Sequence, residues 1–578
     1  MDNNEISIDY AVIGAGIAGT YCAWRLQKAL GKKRKIVLFE HSNRIGGRLL
    51  TIRFPKSKLK AELGGMRYMP MQKVEGTDET IGHPIFSWLV EKEFKLETED
   101  FPMGNIDDEE WGENNYVYFR GQHLKIKDLK DPEKSKVFNL DWSERGKSPN
   151  MLQEHVQKIL VPGADKLNLQ QWFDIKVFDE YLWKYGFWNL LYRVLSPEAY
   201  LLLKIGSGYD TNASNGNAVA LLPILKDYLA STKYRTLKDG MMSLPERLAK
   251  EFNESLEGVI EKNSRIRLNR RLESIGEKDK DGFYELNFMK TQTHDNKRQV
   301  TMDTGDYEDY ESWKARNIIL AIPTVALQKI KWEPLLRNES VIKLIDSVIP
   351  QEAIKLVLEY PYAWWKALTL FRGRSITDLP IRQTYYFSNL DDFKQVDPFE
   401  IKSDEPSLLM ASYSDVESVP FWRGLKGTEE DELWEGHPSG YRASKIMVEE
   451  AHRQVMRIHG QYELPRPTMA AYYDWADPPF GAAWHCWKPG VRFDKEIDRI
   501  RKPVESEQVF ICGEAYSALQ GWAEGALNTA ECLLQCDLEP ADRLNPLTPD
   551  LTCIRTPKRA RGLTFPSGLR VDSKGRRY

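Results

Sequence analysis

The chain has 578 residues, of which 42% are hydrophobic and 29% charged. At roughly 100–200 residues per domain this length predicts several packed domains, and the composition excludes collagen-like, disordered and low-complexity proteins. The net charge of −4 is unevenly spread, because residues 541–578 carry nine basic and only three acidic side chains. We interpret these residues as a solvated basic tail on an acidic body, and we expect no nucleic-acid partner.

The cysteines and the N-terminus indicate the kind of compartment. Six cysteines are too few and too scattered for a disulfide framework, and no histidine lies at metal-ligand spacing from them, so no metal site is predicted. The first residues are acidic and lack the layout of a signal peptide. No apolar run approaches the about 20 residues of a membrane span. We therefore expect a soluble, cytoplasmic protein without a membrane partner.

The N-terminal region has the pattern of a nucleotide-binding unit. The apolar run Tyr10–Ile13 leads into a GxGxxG motif, a helical pattern and the strand-like run Lys35–Glu40. This order predicts a Rossmann-like strand–turn–helix–strand unit, in which glycines bring the backbone close to a pyrophosphate at a helix N-terminus. Glu40 is placed to accept hydrogen bonds from a ribose. The predicted phosphate loop consists of Gly14, Ala15, Gly16, Ile17, Ala18 and Gly19.

The middle of the chain changes character twice. Residues 150–235 are rich in leucine and aromatic side chains at helical spacing, which predicts a mostly helical segment. The polar stretch from 291 to 314 reads as a surface insertion, and residues 331–500 as a mixture of strands and loops. Strands are predicted at Arg265–Leu268, Tyr284–Phe288 and Asn317–Ile322.

Four motifs in a fixed order point to a known family. Arg44–Thr51 carries a second glycine pair followed by an arginine, and Val509–Ala515 reads as a strand ending in Gly-Glu. Gln520–Leu527 then begins a helix. Together they resemble the flavin amine-oxidase superfamily. Glu62–Pro70 contains a GxMR motif and resembles the L-amino-acid oxidase branch of that superfamily.

The resemblance implies an α/β fold with a discontinuous Rossmann-like FAD-binding domain, a mixed-sheet substrate domain and a helical domain. The implied boundaries are 1–68, 235–330 and 503–540 for the FAD domain, 69–125 and 331–502 for the substrate domain, and 126–234 for the helical domain. Besides the phosphate loop and Glu40, the residues implied to bind FAD are Gly47, Arg48, Gly64, Gly65, Met66, Arg67, Leu272, Gly513, Glu514, Gly521, Trp522 and Ala523.

The resemblance also assigns three residues to substrate chemistry. Arg67 is implied to clamp the substrate carboxylate, for which a guanidinium fork is well matched, with the Tyr413 hydroxyl as a second ligand. A contact with flavin phosphate or a structural ion pair is the alternative for Arg67. Lys355 lies in an apolar strand and is implied to hold a water near flavin N5. A buried structural ion pair is the alternative for this lysine.

The walls of the predicted substrate pocket are aromatic. Phe480–Trp487 resembles the family's loop that brings an aromatic or aliphatic wall to the pocket. Trp484 and Trp522 are implied to flank the substrate beside Gly521, although one of these tryptophans can equally be core. Asp415 lies two residues after Tyr413, on the same side of the strand, where it can pair with a basic substrate side chain. Solvent exposure at the strand end is the alternative. Residues 200–235 contain no histidine, so no catalytic base is assigned.

We therefore predict FAD-dependent oxidation of an L-amino acid to a 2-oxo acid, ammonia and hydrogen peroxide, with dioxygen as the second substrate. Asp415 favours L-arginine or L-lysine, and the family implies a homodimer. Three alternatives stay open. They are a flavin amino-acid 2-monooxygenase that releases an amide, an amine or polyamine oxidase, and a flavin scaffold without turnover.

Overall fold

The fold is mixed α/β. The computed structural model describes residues 6–73, 80–101, 103, 114–131, 133–134, 136–164, 167–223, 232–254, 265–294, 300–303, 310–387, 405–427, 433–438, 440–551 and 553. The α-helices are Ile17–Leu30, Pro84–Trp88, Pro149–Leu160, Leu169–Trp172, Phe187–Val194, Pro197–Gly206, Ala218–Leu221, Ser243–Glu254, Thr324–Leu327, Glu333–Arg337, Glu339–Ile345, Val419–Gly424, Lys445–Ile458, Phe493–Arg501 and Ala523–Cys536. Within these described ranges, no helix has the length and apolar character needed to cross a bilayer.

One sheet, which we call the parallel sheet, joins distant parts of the chain. Its parallel strands lie in the order Ile266–Arg267, Ile36–Phe39, Ile6–Ile13, Tyr310–Leu320 and Val509–Ile511. All four residues of Ile36–Phe39 are buried, as expected for a parallel strand covered on both faces. Further strands extend the sheet on one side: Arg270–Lys278, Tyr284–His294, Val300–Asp303 and Lys331–Trp332.

The predicted surface insertion between 291 and 314 is wrong in its described part. Tyr284–His294 pairs with Val300–Asp303, and Tyr310–Leu320 begins well before the predicted strand. The polar residues misled the prediction because they alternate with buried ones: Trp313 and Ala315 face the core between more exposed neighbours. That alternation is the pattern of a strand with one buried face.

A second sheet, the antiparallel sheet, carries three of the predicted site residues, Lys355, Tyr413 and Asp415. Its strands lie in the order Met469–Asp474, Ala353–Tyr360, Ser407–Asp415, Gln383–Tyr386, Gly373–Thr377, Tyr116–Phe119 and Gln122–Lys125. Neighbouring strands are antiparallel, except that the strand beginning at Gly373 and the strand beginning at Tyr116 are parallel. The register places Lys355 opposite Tyr413 and Ala353 opposite Asp415.

The structure corrects two further expectations for residues 331–500. The predicted loop at Trp484–Trp487 is a strand that pairs with Val348–Gln351. Long helices also occur here, notably Lys445–Ile458. Ser444 caps the N-terminus of this helix by accepting a hydrogen bond from Met447 N–H.

The remaining two-stranded ribbons pair Thr51–Arg53 with Lys60–Glu62, Gln72–Lys73 with Thr80–Ile81, Thr98–Asp100 with Arg235–Leu237, and Lys176–Val177 with Glu180–Tyr181.

The helical segment around residues 149–221 begins its helices as the sequence dictates. Ser148 and Ser196 accept hydrogen bonds from backbone N–H groups in the first turn, and each is followed by proline at the first helical position. The helices beginning at Pro149 and Pro197 pack against each other over buried leucines. The domain boundaries stay predictions.

A disulfide joins Cys532 to Cys553, 21 residues apart with a Cα–Cα distance of 5.1 Å. The scattered cysteine spacing did not predict this pairing. It forms because the chain after helix Ala523–Cys536 turns back along that helix, where Leu544 N–H donates to Leu534 O. The tertiary path, and not the local spacing, therefore brings the two thiols together.

Two of the glycines in the phosphate loop are required for different steric reasons, a positive φ at Gly14 and a close backbone approach at Gly19. Gly14 has φ +102°, which favours glycine, and a Cβ on Gly19 would lie 1.8 Å from Gly14 O. Helix Ile17–Leu30 therefore packs directly on the first strand only because residue 19 lacks a side chain. A Cβ on Gly16, by contrast, would meet only Gly47 Cα at 3.9 Å.

We predict that Gly19→Ala destabilises the fold by about 3 kcal/mol, because the helix must move away from the strand. Gly16→Ala is the matched control and should cost less than about 1 kcal/mol. Urea unfolding of the wild type and the two variants measures the difference in the free energy of unfolding, with the same dependence on urea concentration assumed for all three proteins. Equal stability of the two variants would contradict this account of the close approach.

Candidate active site

A cavity of about 820 Å³ runs from the phosphate loop to the antiparallel sheet. This volume is typical of a site that encloses a large ligand. It contacts most of the residues that the sequence singled out. They are Gly14, Gly16, Ile17, Ala18, Glu40, Gly47, Arg48, Gly64, Gly65, Leu272, Lys355, Tyr413, Trp484, Gly513, Glu514, Gly521, Trp522 and Ala523.

Three of the predicted cofactor and substrate residues lie behind the cavity wall. Gly19 packs on Gly14, Met66 is a buried core residue, and Ala15 donates its backbone N–H to a Glu40 carboxylate oxygen at 2.7 Å. These residues support the wall from behind. Arg67 and Asp415 also lie outside the wall and are described below.

The phosphate-loop end of the cavity suits an anion. Helix Ile17–Leu30 starts at Gly16 without a side-chain cap, so its first N–H groups are available to a ligand. The second glycine pair packs on this loop, where Gly46 N–H donates to Ala15 O at 2.9 Å. The other oxygen of Glu40 accepts hydrogen bonds from the backbone N–H and hydroxyl of Ser42.

Glu514 is a buried carboxylate that joins three segments of the chain. One oxygen accepts from Arg48 at 2.7 Å and from the His485 ring at 2.9 Å. The other accepts from the backbone N–H groups of His485 at 2.9 Å and Gly521 at 2.8 Å. Burial alone would raise the pKa of Glu514, but Arg48 and His485 hold it at about 2. The ionised group therefore fixes the cavity wall, and His485 acquires a structural role.

The wall beside Glu514 is open to a ligand. Gly513 has φ +138° and Gly521 has φ +83°, and a Cβ added to either would meet no protein atom within 4 Å. Both glycines line the cavity. The space that their missing side chains leave is a cradle that a flat ligand can fill.

Lys355 is buried at the inner end of the cavity. Its Nζ donates to the main-chain carbonyls of Glu62 at 3.1 Å and Gly64 at 2.5 Å, and lies 4.5 Å from the Tyr413 ring centroid. Burial lowers the pKa of Lys355 to about 7; the charge of Glu62 opposes this shift and that of Arg67 favours it. Lys355 is therefore poised to exchange a proton near neutral pH.

Arg67 lies beside this end of the cavity, among aromatic rings. Its guanidinium carbon is 5.1 Å from the Tyr234 ring centroid, 5.6 Å from that of Trp522 and 5.7 Å from that of Phe101. Trp522 stacks on Tyr234 with centroids 6.1 Å apart. Such a cage holds the guanidinium by cation–π attraction. Phe101 and Tyr234 are site residues that the sequence reasoning missed, because no motif surrounds them.

Asp415 does not face the cavity. It is fully buried and accepts hydrogen bonds from the backbone N–H groups of Asp210 at 2.8 Å and Thr211 at 2.9 Å. The Thr211 hydroxyl donates to it at 2.7 Å. Both expectations for Asp415, an ion pair with a substrate side chain and solvent exposure, are therefore wrong. Sequence reasoning placed it on the correct strand but had no means of seeing the turn packed against it.

The chain matches the sequence profile of the flavin-containing amine oxidoreductases over residues 17–531. It belongs to this family. Achacin from Lissachatina fulica is 28% identical over 534 residues, which cover 91% of this chain and 92% of achacin. Aplysianin-A from Aplysia kurodai is 27% identical over 545 residues, or 92% of this chain and 90% of aplysianin-A. The L-amino acid oxidase Bs29 of Bothriechis schlegelii is 25% identical over 381 residues, covering 65% of this chain and 64% of the oxidase.

This flavin-containing amine oxidoreductase is thus an FAD-dependent oxidoreductase. The cavity fits FAD on structural grounds. An uncapped helix N-terminus lies at one end, and the cradle of Gly513 and Gly521 lies along the wall. The individual residue assignments stay predictions.

Glu524 is a second buried carboxylate next to the cavity of this oxidoreductase. It lies in the first turn of helix Ala523–Cys536 and accepts hydrogen bonds from the backbone N–H groups of Ile85 at 3.1 Å and Phe86 at 2.8 Å. It thereby caps helix Pro84–Trp88. Burial raises the pKa of Glu524 from 4.5 to about 7.

This raised pKa predicts how stability depends on pH. Between pH 4.5 and 7 the folded protein keeps a proton on Glu524 that the unfolded chain releases, so stability falls as pH rises through this window. Glu524→Gln cannot ionise. We expect the stability of the wild type relative to this variant to drop by about 3 kcal/mol from pH 4.5 to 8. Denaturant unfolding of both proteins at both pH values measures this drop. A stability difference that stays constant with pH would show that Glu524 does not lose a proton in this window.

Proposed function

We propose that this enzyme oxidises an L-amino acid to a 2-oxo acid, ammonia and hydrogen peroxide. The observation that carries the proposal is Arg67, a guanidinium held in an aromatic cage beside the inner end of the cofactor cavity. A substrate with a carboxylate has a bidentate partner there, whereas a simple amine has none. Arg67 also lies close enough to Lys355 and Tyr413 for its charge to lower their pKa values.

FAD, when bound, accepts a hydride equivalent from the substrate and passes the electrons to dioxygen. We assign its pyrophosphate to the loop Gly14–Gly19 and a ribose to Glu40. The cradle formed by Gly513 and Gly521 takes the flavin end, with Arg48 and Glu514 fixing that wall. Lys355 and Tyr413 line the same cavity and would be available to a substrate bound beside the flavin.

The chain's own residues bind and orient the amino acid. Arg67 and the Tyr413 hydroxyl hold the carboxylate. Burial raises the pKa of Tyr413 well above 10, so the hydroxyl stays protonated and donates. Trp484 and Trp522 flank the substrate and exclude water. Fixing the carboxylate at one end orients the α-carbon hydrogen, and such orientation is a large part of catalysis.

Lys355 supplies a positive charge near the reacting end of the cavity. Two of its three donors bind main-chain carbonyls, and the group lines the cavity. We assign its remaining donor to a water at the reacting end. In this proposal the water lies where dioxygen reacts. The imino acid product leaves the site and is hydrolysed to the 2-oxo acid and ammonia.

The predicted preference for L-arginine or L-lysine is based on Asp415, but the carboxylate of Asp415 binds the backbone at Asp210 and Thr211. We therefore propose no particular substrate side chain, and a panel of L-amino acids would identify it. Release of an amide would instead show the 2-monooxygenase outcome, which starts from the same substrate and cofactor. A homodimer and a cytoplasmic location stay predictions.

Replacing Arg67 tests the carboxylate clamp. Arg67→Lys keeps the charge but loses the fork, so we expect the L-amino acid concentration for half-bleaching of the flavin to rise about 100-fold under anaerobic conditions. Tyr413→Phe should raise it about 10-fold. FAD content should stay at the wild-type level in both variants. Loss of FAD, or equal bleaching by amines without a carboxylate, would contradict the clamp.

Lys355→Met tests the role of the buried amine. Because the pKa of Lys355 is about 7, the amine is charged at pH 6 and mostly neutral at pH 8. A nearby positive charge favours electron transfer to dioxygen. We expect faster flavin reoxidation at pH 6 than at pH 8 in the wild type, and an about 100-fold slower, pH-independent rate in the variant. Stopped-flow absorbance measures this rate, with anaerobic reduction as the control; an unchanged pH profile would overturn the assignment.

A further inference from the structure

The helical segment contacts the inner end of the cavity through Tyr209. This residue follows helix Pro197–Gly206, and its ring centroid is 5.3 Å from that of Tyr413 and 6.4 Å from that of Trp484. The three rings are nearly perpendicular to one another, at 86°, 85° and 82°. Tyr413 and Trp484 line the cavity, and the ring of Tyr209 packs against both of them.

The corner has a polar edge. The Tyr209 hydroxyl lies 3.5 Å from that of Tyr385, which donates to Gln383 Oε1 at 3.2 Å. Aromatic rings and two hydroxyls therefore lie next to this end of the cavity.

Charged side chains of the antiparallel sheet hold the chain on both sides of Tyr209. Before it, Arg374 donates to Ser207 O at 3.4 Å, and a Cβ on Gly208 would lie 2.9 Å from Arg374 and Gln383. After it, the 3₁₀ turn Asp210–Ala213 begins. The backbone of Tyr209 is thus clasped between two contacts with one sheet.

Asp415 is the principal contact on the second side. Its carboxylate accepts three hydrogen bonds from the first two residues of the turn, at 2.7–2.9 Å. The Asp210 carboxylate in turn pairs with Arg382 at 3.0 Å, and both side chains are almost fully buried. A buried carboxylate with three donors fixes a backbone strongly, since removing it leaves those donors unpaired.

We propose that Tyr209 makes a favourable contact with the end of a long substrate side chain, and that Asp415 is the positioning residue that holds Tyr209 in place. The proposal rests on the proposed oxidation of an L-amino acid. Asp415 acts through the backbone of the turn and not through its charge on the substrate. Long side chains reach Tyr209, while the side chain of alanine ends before it.

Asp415→Asn tests this role, because an amide cannot accept hydrogen bonds at both of its ends. The half-bleaching concentrations of L-norleucine and L-lysine should both rise about 10-fold, with that of L-alanine changed less than about twofold. The limiting rate at saturation should stay within about twofold of the wild type. Thr211→Val removes one of the three bonds and should give a smaller change in the same direction. Tyr209→Ala should reproduce the pattern of Asp415→Asn.

Hydrogen exchange provides a readout that does not depend on turnover. In Asp415→Asn the amides of Asp210 and Thr211 should exchange faster than in the wild type. Ser414→Ala is the matched control, because Ser414 lies on the same strand and donates to Pro380 O instead. It should leave both the exchange of these amides and the substrate panel unchanged.

Three results would overturn the proposal. If the half-bleaching concentration in Asp415→Asn rises for L-lysine alone, Asp415 acts on the charge of the substrate. A loss of thermal stability with no change for any amino acid would leave Asp415 purely structural. Unchanged exchange at Asp210 and Thr211 would remove the positioning role. If no L-amino acid bleaches the wild-type flavin, the proposed function fails, and the exchange result still decides whether Asp415 holds the turn.

Discussion

The cavity depends on one buried anion, Glu514. Its partner Arg48 lies 466 residues earlier in the chain, and its partner His485 lies in a strand of a separate ribbon. A carboxylate removed from water must be paired, so the three segments that supply its donors are held together around it. The cavity wall is therefore fixed where an early and a late segment of the chain meet, which is also where the flavin binds in our proposal.

A second buried anion performs the same task for the substrate end. Asp415 attaches the turn after Tyr209 to the antiparallel sheet, whereas Lys355 and Tyr413 lie on adjacent strands of that sheet. The helical segment thus reaches the pocket through a polar contact instead of apolar packing alone. A hydrogen-bonded contact has a defined geometry, and this holds the turn after Tyr209 in one position on the sheet.

Sequence reasoning was accurate where a motif encodes its own geometry. The glycines of the phosphate loop are required by local backbone geometry and close approach, and most of the predicted cofactor residues line one cavity. It was inaccurate where burial on one face is hidden among polar residues, as in Tyr310–Leu320. It also failed for Trp484–Trp487, which is a strand only because a distant segment pairs with it.

The nucleotide-binding unit, the family and the strand that carries Tyr413 follow from the sequence alone, because each depends on patterns within a few tens of residues. What Asp415 binds, which rings surround Arg67 and that Cys532 pairs with Cys553 depend on how the whole chain packs. These contacts join segments that the local sequence does not relate, such as Thr211 and Asp415, which are separated by 204 positions. The physical reason is that a side chain's role depends on the groups that packing brings to it, and that packing is a property of the whole chain.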